Sequence, residues 1–126
     1  MKKDIKQLWV EALRSNNYQQ SYETLRYRTM EGDTIGHCAL GVLCSLYEKQ
    51  TNDQLGENNW ASGILPDAVV EWADLPSADP YLTMEYRWED DFGNEEKHQE
   101  HMTISAWNDE QSKPFSELAE AIEQQL

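Results

Sequence analysis

The sequence predicts an α+β fold, three to four helices packed on a small antiparallel β-sheet or hairpin, as a single domain over residues 1–126. Three observations predict it. Apolar residues recur at the helical spacing i, i+3, i+4 near both ends of the chain. Residues 81–88 and 101–107 alternate apolar and polar, as strands do. Five Trp, six Tyr and two Phe supply bulk for a core although the apolar fraction is only 39%. A disordered chain lacks such aromatics. The length is near that of one domain, and its halves are too short to bury separate cores.

Each element follows from its residues. Asp4 to Ser15 reads as a helix, with Ile5, Leu8, Trp9, Ala12 and Leu13 on one stripe and Asn16-Asn17 ending it. Tyr22 to Thr29 is rich in Tyr and Thr and reads as a strand or extended arm, followed by a turn at Glu31-Gly32-Asp33. Gly36 to Gln50 is the most apolar stretch and too long for a strand, hence a central helix with Leu40, Leu43, Leu46 and Tyr47 on one face. Gly41 inside it costs about 1 kcal/mol relative to alanine, which points to a close crossing by another element. Thr51 to Ser62 reads as a loop anchored by Trp60. Pro66 starts a short helix bearing Val69, Val70, Trp72 and Ala73, and Pro76 to Pro80 is a rigid linker.

Tyr81 to Trp88 sets Leu82, Met84, Tyr86 and Trp88 on one face. Glu89 to Glu96 is a polar turn, and His101 to Trp107 alternates again, so the two runs form a long hairpin. Pro114 opens a C-terminal helix carrying Phe115, Leu118, Ala119, Ile122 and Leu126.

Charge is unevenly distributed. Residues 1–50 hold seven Lys/Arg and six Asp/Glu, while residues 51–126 hold three Lys/Arg and eighteen Asp/Glu, so the net −14 belongs to the second half. Such a surface repels free nucleic acid and anionic membranes and attracts basic partners. No apolar run reaches the roughly 18 residues of a membrane-spanning helix. The start of the chain lacks a continuous apolar signal region, so the expected location is the cytoplasm. Cys38 and Cys44, six apart, would lie roughly 120° apart around a helix and could not bridge there, which makes them reduced, buried thiols.

Four segments, in order, carry a resemblance. They are Trp9 to Ser15 (WVEALRS), Cys38 to Cys44 (CALGVLC), Leu65 to Trp72 (LPDAVVEW), and Asn108-Asp109 leading to Phe115 to Glu123 (FSELAEAIE). Together they resemble a widespread group of small, uncharacterised phage and prophage proteins with the patterns WxxALRSG, CCLGVLC, LPxxVxxW and LNDxxxxFxxIAxxIE. His37-Cys38-Ala39 stands where that group often has two adjacent cysteines, Trp107 replaces a leucine, and residues 81–101 lie outside the resemblance. The resemblance implies a phage or prophage origin and a shared helical scaffold. It assigns no catalytic residue.

Few residue combinations in the chain carry catalytic or metal-binding chemistry. Cys38, Cys44 and His37 could form a thiol–imidazole pair or half a metal site, but nucleophilic catalysis needs an adjacent base and zinc needs four ligands. His98 and His101 share a face only on a helix, whereas the alternation around them indicates a strand. No phosphate-binding glycine loop, nucleophile elbow or HExxH is present. The expectation is therefore a protein that is not an enzyme and needs no cofactor or metal.

Two binding surfaces remain. The first is acidic: Glu85, Glu89, Asp90, Asp91, Glu95, Glu96 and Glu100 along the hairpin, with Glu117 and Glu120 on the last helix. It would bind and inhibit a basic host protein, a defence or nucleic-acid-binding protein, by resembling a phosphate backbone. The second is the basic–aromatic cluster Tyr22, Arg26, Tyr27 and Arg28, which suits a sequestered nucleotide, with a homo-oligomeric pocket as one arrangement. A structural or regulatory phage protein is the third reading.

Overall fold

The computed structural model describes residues 1–126. In chain order the elements are α1 (Lys3–Arg14), β1 (Arg26–Arg28), β2 (Thr34–His37), α2 (Ala39–Thr51), α3 (Glu57–Trp60), α4 (Asp67–Ala73), β3 (Tyr81–Glu89), β4 (Glu95–Thr103), α5 (Ile104–Asp109) and α6 (Phe115–Gln125). The class is α+β as expected. The count differs: six helical elements instead of three to four, and two separate two-stranded antiparallel sheets, β1–β2 and β3–β4.

α2 is the centre of the molecule. Its residues Ala39 to Cys44, Leu46 and Tyr47 are buried, so it is apolar almost all round, as a helix enclosed by neighbours must be. α1, α4, α5 and β2 pack on it, and α6 packs along α1. Trp9 of α1 is fully buried and donates its indole N–H to Ala39 O at 2.9 Å, so the bulkiest core side chain is also polar-satisfied.

The two additional helices have separate causes. α3 is a single turn inside the expected loop, and it carries the buried anchor Trp60. α5 replaces the second half of the expected strand 101–107. Thr103 Oγ1 accepts from Ala106 N–H at 3.3 Å, and Asp79 accepts from both the N–H and the hydroxyl of Ser105. These caps satisfy the first turn of a helix. Ile104, Trp107 and Asn108 are then buried at i, i+3 and i+4. Upstream, the central helix begins later than expected, because Gly36 and His37 belong to β2. Of the stretch 22–29 only Arg26–Arg28 pairs as a strand, Glu23 having a left-handed backbone (φ 74°).

The segment between α1 and β1 is clamped by close approaches. A Cβ at Gly41 would lie 1.8 Å from Leu25 O, one at Gly36 2.8 Å from Gln19 O, and one at Gly63 2.8 Å from Glu23 O. The close crossing expected at Gly41 is thus the backbone of Leu25. Asn108, fully buried, ties the same segment down. Its Oδ1 accepts from Gln20 Nε2 at 2.9 Å and from Ala39 N–H at 3.3 Å. Its Nδ2 donates to Ser21 O at 3.0 Å and to Asp109 Oδ1 at 2.8 Å.

β3 and β4 form a regular ladder from Tyr81↔Thr103 to Glu89↔Glu95. Leu82, Met84, Tyr86 and Trp88 share a face as the alternation predicted, but burial fades along it: Leu82 and Met84 are buried, Tyr86 is half-buried and Trp88 is exposed. The hairpin outruns the core.

Gly41→Ala is expected to cost about 3 kcal/mol through overpacking, since the clash is with backbone and cannot be relieved by a side-chain rotation. Asn108→Ala is expected to cost about 3 kcal/mol by stranding buried polar partners. Urea midpoints at unchanged slope would measure both.

Candidate functional site

The β3–β4 arm is rooted by Trp107, whose indole N–H donates to Leu82 O at 2.8 Å, and by Ile104 N–H, which donates to Pro80 O at 2.9 Å. Beyond Met84 only the half-buried Tyr86 still packs against the core. Tyr86 and His98 lie across the ladder with ring centroids 5.2 Å apart. At the tip, the Asp90 carboxylate turns inward and accepts from the N–H groups of Phe92 (2.9 Å) and Asn94 (2.8 Å). The Asn94 bond foremost holds this carboxyl below its usual range. Gly93 takes the left-handed conformation (φ 79°) that the turn needs. The consequence is an outward Phe92, 90% exposed; Trp88, near the end of β3, is 42% exposed.

The nine acidic residues picked from the sequence do not form one continuous field. Register divides the hairpin acids: Glu85, Glu89 and Glu95 share one face with Arg87 and Lys97, while Glu96 and Glu100 share the other with Trp88. Glu85 pairs with Arg87 at 3.4 Å and Glu100 with His98 at 2.7 Å. Asp91 is exposed in the turn, whereas Asp90 is occupied by the turn itself. Glu117 and Glu120 of α6 meet Glu85 across a groove between β3 and α6. The buried Lys113 lies in the same groove, its Nζ 3.8 Å from Glu117 and 5.8 Å from the Trp107 ring. Two groups therefore exist: an acidic, aromatic tip and a carboxylate groove around one lysine.

The basic–aromatic cluster is rearranged by a residue the sequence did not flag. Glu57 of α3 accepts from both Arg26 (2.8 Å) and Arg28 (2.9 Å). The Arg26 guanidinium also stacks 4.2 Å from the Trp60 ring centroid, and its Nε is buried without a partner. Tyr22 and Tyr27 are exposed and take no part in this pairing. Instead His37 joins the cluster edge-to-face, its ring centroid 5.8 Å from Trp60 and 5.2 Å from Tyr18. Lys49 Nζ donates to Tyr18 Oη at 3.0 Å. Glu57 lies some thirty residues from the arginines in sequence, and no local pattern links them.

Burial, then the nearby charges of Arg26 and Lys49, bring His37 down to about 4. Cys38 caps α2, its Sγ accepting from Gly41 N–H at 3.4 Å, and burial pushes its thiol up to about 11. Burial raises Cys44 further. Both cysteines are free, buried and protonated at neutral pH. His98 and His101 face opposite ways, as strand alternation requires: His98 meets Glu100, and His101 meets Thr83 and stacks on Tyr81. No three His, Cys, Asp or Glu side chains converge to hold a metal ion. No helix is long and apolar enough to cross a membrane.

The unfolded chain protonates His37 near its ordinary 6.5, before the folded chain does near 4. Stability is therefore complete above about pH 6.5 and declines as pH falls towards about 4. Comparing thermal midpoints of the wild type and His37→Asn, the acid-side decline attributable to this group is expected to vanish in the variant. The two thiols are expected to resist a thiol-specific reagent at neutral pH until the protein unfolds.

A family model described as "Domain of unknown function (DUF8296)" matches residues 1–126, and the chain belongs to that family. No curated protein and no solved structure matches the chain.

Proposed function

For this member of the DUF8296 family, we propose a non-enzymatic role: the chain binds a basic protein through the outer half of the β3–β4 arm and inhibits it. The observation that carries this reading is a single projecting hairpin bearing both exposed aromatics and a carboxylate excess. Seven carboxylates lie between Glu85 and Glu100 against Arg87 and Lys97, with Trp88 and Phe92 exposed among them. Exposed acids alone serve solubility. Exposed aromatics do not, and aromatic anchors inside a polar rim are where interfaces concentrate binding energy.

The division of labour follows from the physics. The carboxylates accelerate encounter with a cationic surface, and Trp88 and Phe92 slow dissociation once they are buried. The likeness of four segments to phage and prophage proteins supports a host protein in the host cytoplasm as the target, and the carboxylate excess of the arm supports a basic one, a defence or nucleic-acid-binding protein among them. Protonated, inaccessible thiols and a neutral His37 leave no activated nucleophile, which favours binding over catalysis. The nucleotide reading has less support, because Glu57 already occupies both arginine forks that a phosphate would need.

Immobilised wild-type protein is expected to capture a basic host protein at about 0.1 M salt and release it towards 1 M, as the screening length falls from about 10 to about 3 Å. Combining Glu89→Gln, Asp91→Asn, Glu95→Gln and Glu96→Gln is expected to slow association, and Phe92→Ala to speed dissociation, each by about ten-fold in surface-binding kinetics. Capture indifferent to salt and to both changes would rule the reading out.

A further inference from the structure

β3 and β4 form a two-stranded ladder, so each strand keeps one edge that the other does not cover. The bonds closing the ladder at its ends, Asp90 N–H to Asn94 O and Ile104 N–H to Pro80 O, set the phase. Even-numbered residues exchange bonds within the hairpin, and odd-numbered residues turn their N–H and C=O outward.

The two outer edges differ. On β3, the side-chain amide of Gln125 closes on Thr83 twice, donating to its O and accepting from its N–H, both at 2.8 Å. Gln111 Oε1 accepts from Arg87 N–H at 3.1 Å. Glutamines from α6 and from the loop after α5 stand where a neighbouring strand would. On β4, the outward backbone groups of Glu95, Lys97, Gln99 and His101 meet no partner, and all four residues are exposed. The strand is nine residues long, lacks proline and keeps its register throughout. An unpaired edge of this length is a template for another strand.

We propose that β4 receives an extended, basic segment of the partner protein as a third strand; this rests on the arm being the surface that engages a basic protein. Charge selects the occupant. Glu96 and Glu100 flank the edge on one face of the sheet; Glu95 flanks it on the other, where Lys97 follows two residues along and Glu85, Arg87 and Glu89 lie on the adjoining strand, so the acids outnumber the cations on both faces. A second copy of the chain would set like charges against each other and add its own −14 to the repulsion. A segment carrying lysine or arginine gains cross-strand ion pairs on either face. The main-chain bonds then supply sequence-independent affinity, and the charge supplies the preference for basic segments.

The test uses the full chain and two short synthetic peptides of equal lysine content, one repeating lysine-threonine-threonine and one repeating lysine-proline-proline. The proline peptide keeps the charge but loses two of every three N–H donors, on both of its edges. The threonine peptide is expected to bind about ten-fold tighter. It is also expected to slow amide exchange at Glu95, Lys97, Gln99 and His101 about ten-fold, leaving Thr83 unchanged. Gln99→Pro removes a central outward N–H without touching the ladder, and is expected to abolish the preference for threonine over proline, with Gln99→Thr retaining it. Should Gln99→Pro fail to fold, the peptide comparison and the exchange pattern decide alone. Equal affinities without protection on β4 would overturn strand addition and leave the charge-based reading standing. No binding of either peptide at low salt would overturn both. Protection of the same amides in a peptide-free dimer would overturn the basic occupant in favour of a second copy.

Discussion

The buried amide of Asn108 is the constraint from which the rest of the fold is hung. An asparagine side chain offers two donors and two acceptor positions, and here all four are used. They join the segment before β1 and the first turn of α2 to the last turn of α5, three regions remote in sequence. The clamp works because glycines at 36, 41 and 63 let the segment 19–25 lie against backbone without intervening side chains. Gln20 extends the same network by donating to Lys113 O at 2.8 Å, and Asp109 accepts from Glu23 N–H at 3.0 Å. In a low-dielectric interior such a network makes one arrangement strongly preferred, since any slip leaves a polar group unpaired.

Electrostatics divide the molecule more sharply than the sequence halves do. Three arginines of the first half are engaged by carboxylates of the second: Arg14 by Glu123 at 2.7 Å, and Arg26 and Arg28 by Glu57. The exposed pairs, Arg14–Glu123 and Arg28–Glu57, are worth about 0–1 kcal/mol and shape the surface potential more than they hold the fold, whereas the Arg26 side chain is largely buried against Trp60. The remaining negative charge lies on the arm, on α6 and on the exposed Asp67, Glu71 and Asp74 of α4 and its cap, and the second half offers only Arg87, Lys97 and Lys113 against it.

The arm combines a firm base with a lightly supported tip. A hairpin alone is marginal in water, and of its long apolar face Leu82 and Met84 are buried in the core, Tyr86 packs against it half-buried and Trp88 is exposed. Its outer half is held by ladder bonds, the Tyr86–His98 contact and the Asp90 turn. One covered edge and one bare edge make the structure directional: any strand that joins must do so at β4, on the side away from α6.

The α+β class, the amphipathic first and last helices, the crossing at Gly41 and the alternation of Leu82, Met84, Tyr86 and Trp88 were legible from the sequence, because each is a periodicity or a local steric rule acting within a few residues. The run His101 to Trp107 was misleading for the same reason: over so few positions Met102, Ile104 and Ala106 fit a strand, and the helix there is chosen by Asp79, over twenty residues upstream. The acidic residues could be found but not arranged, since ladder register decides which face each carboxylate takes and the turn consumes Asp90. Glu57 bridging Arg26 and Arg28, Asn108 joining three segments, and the glutamines covering β3 while β4 stays bare are products of chain crossings. Contacts between distant segments come into being only when the core closes, and that is why tertiary structure alone decided them.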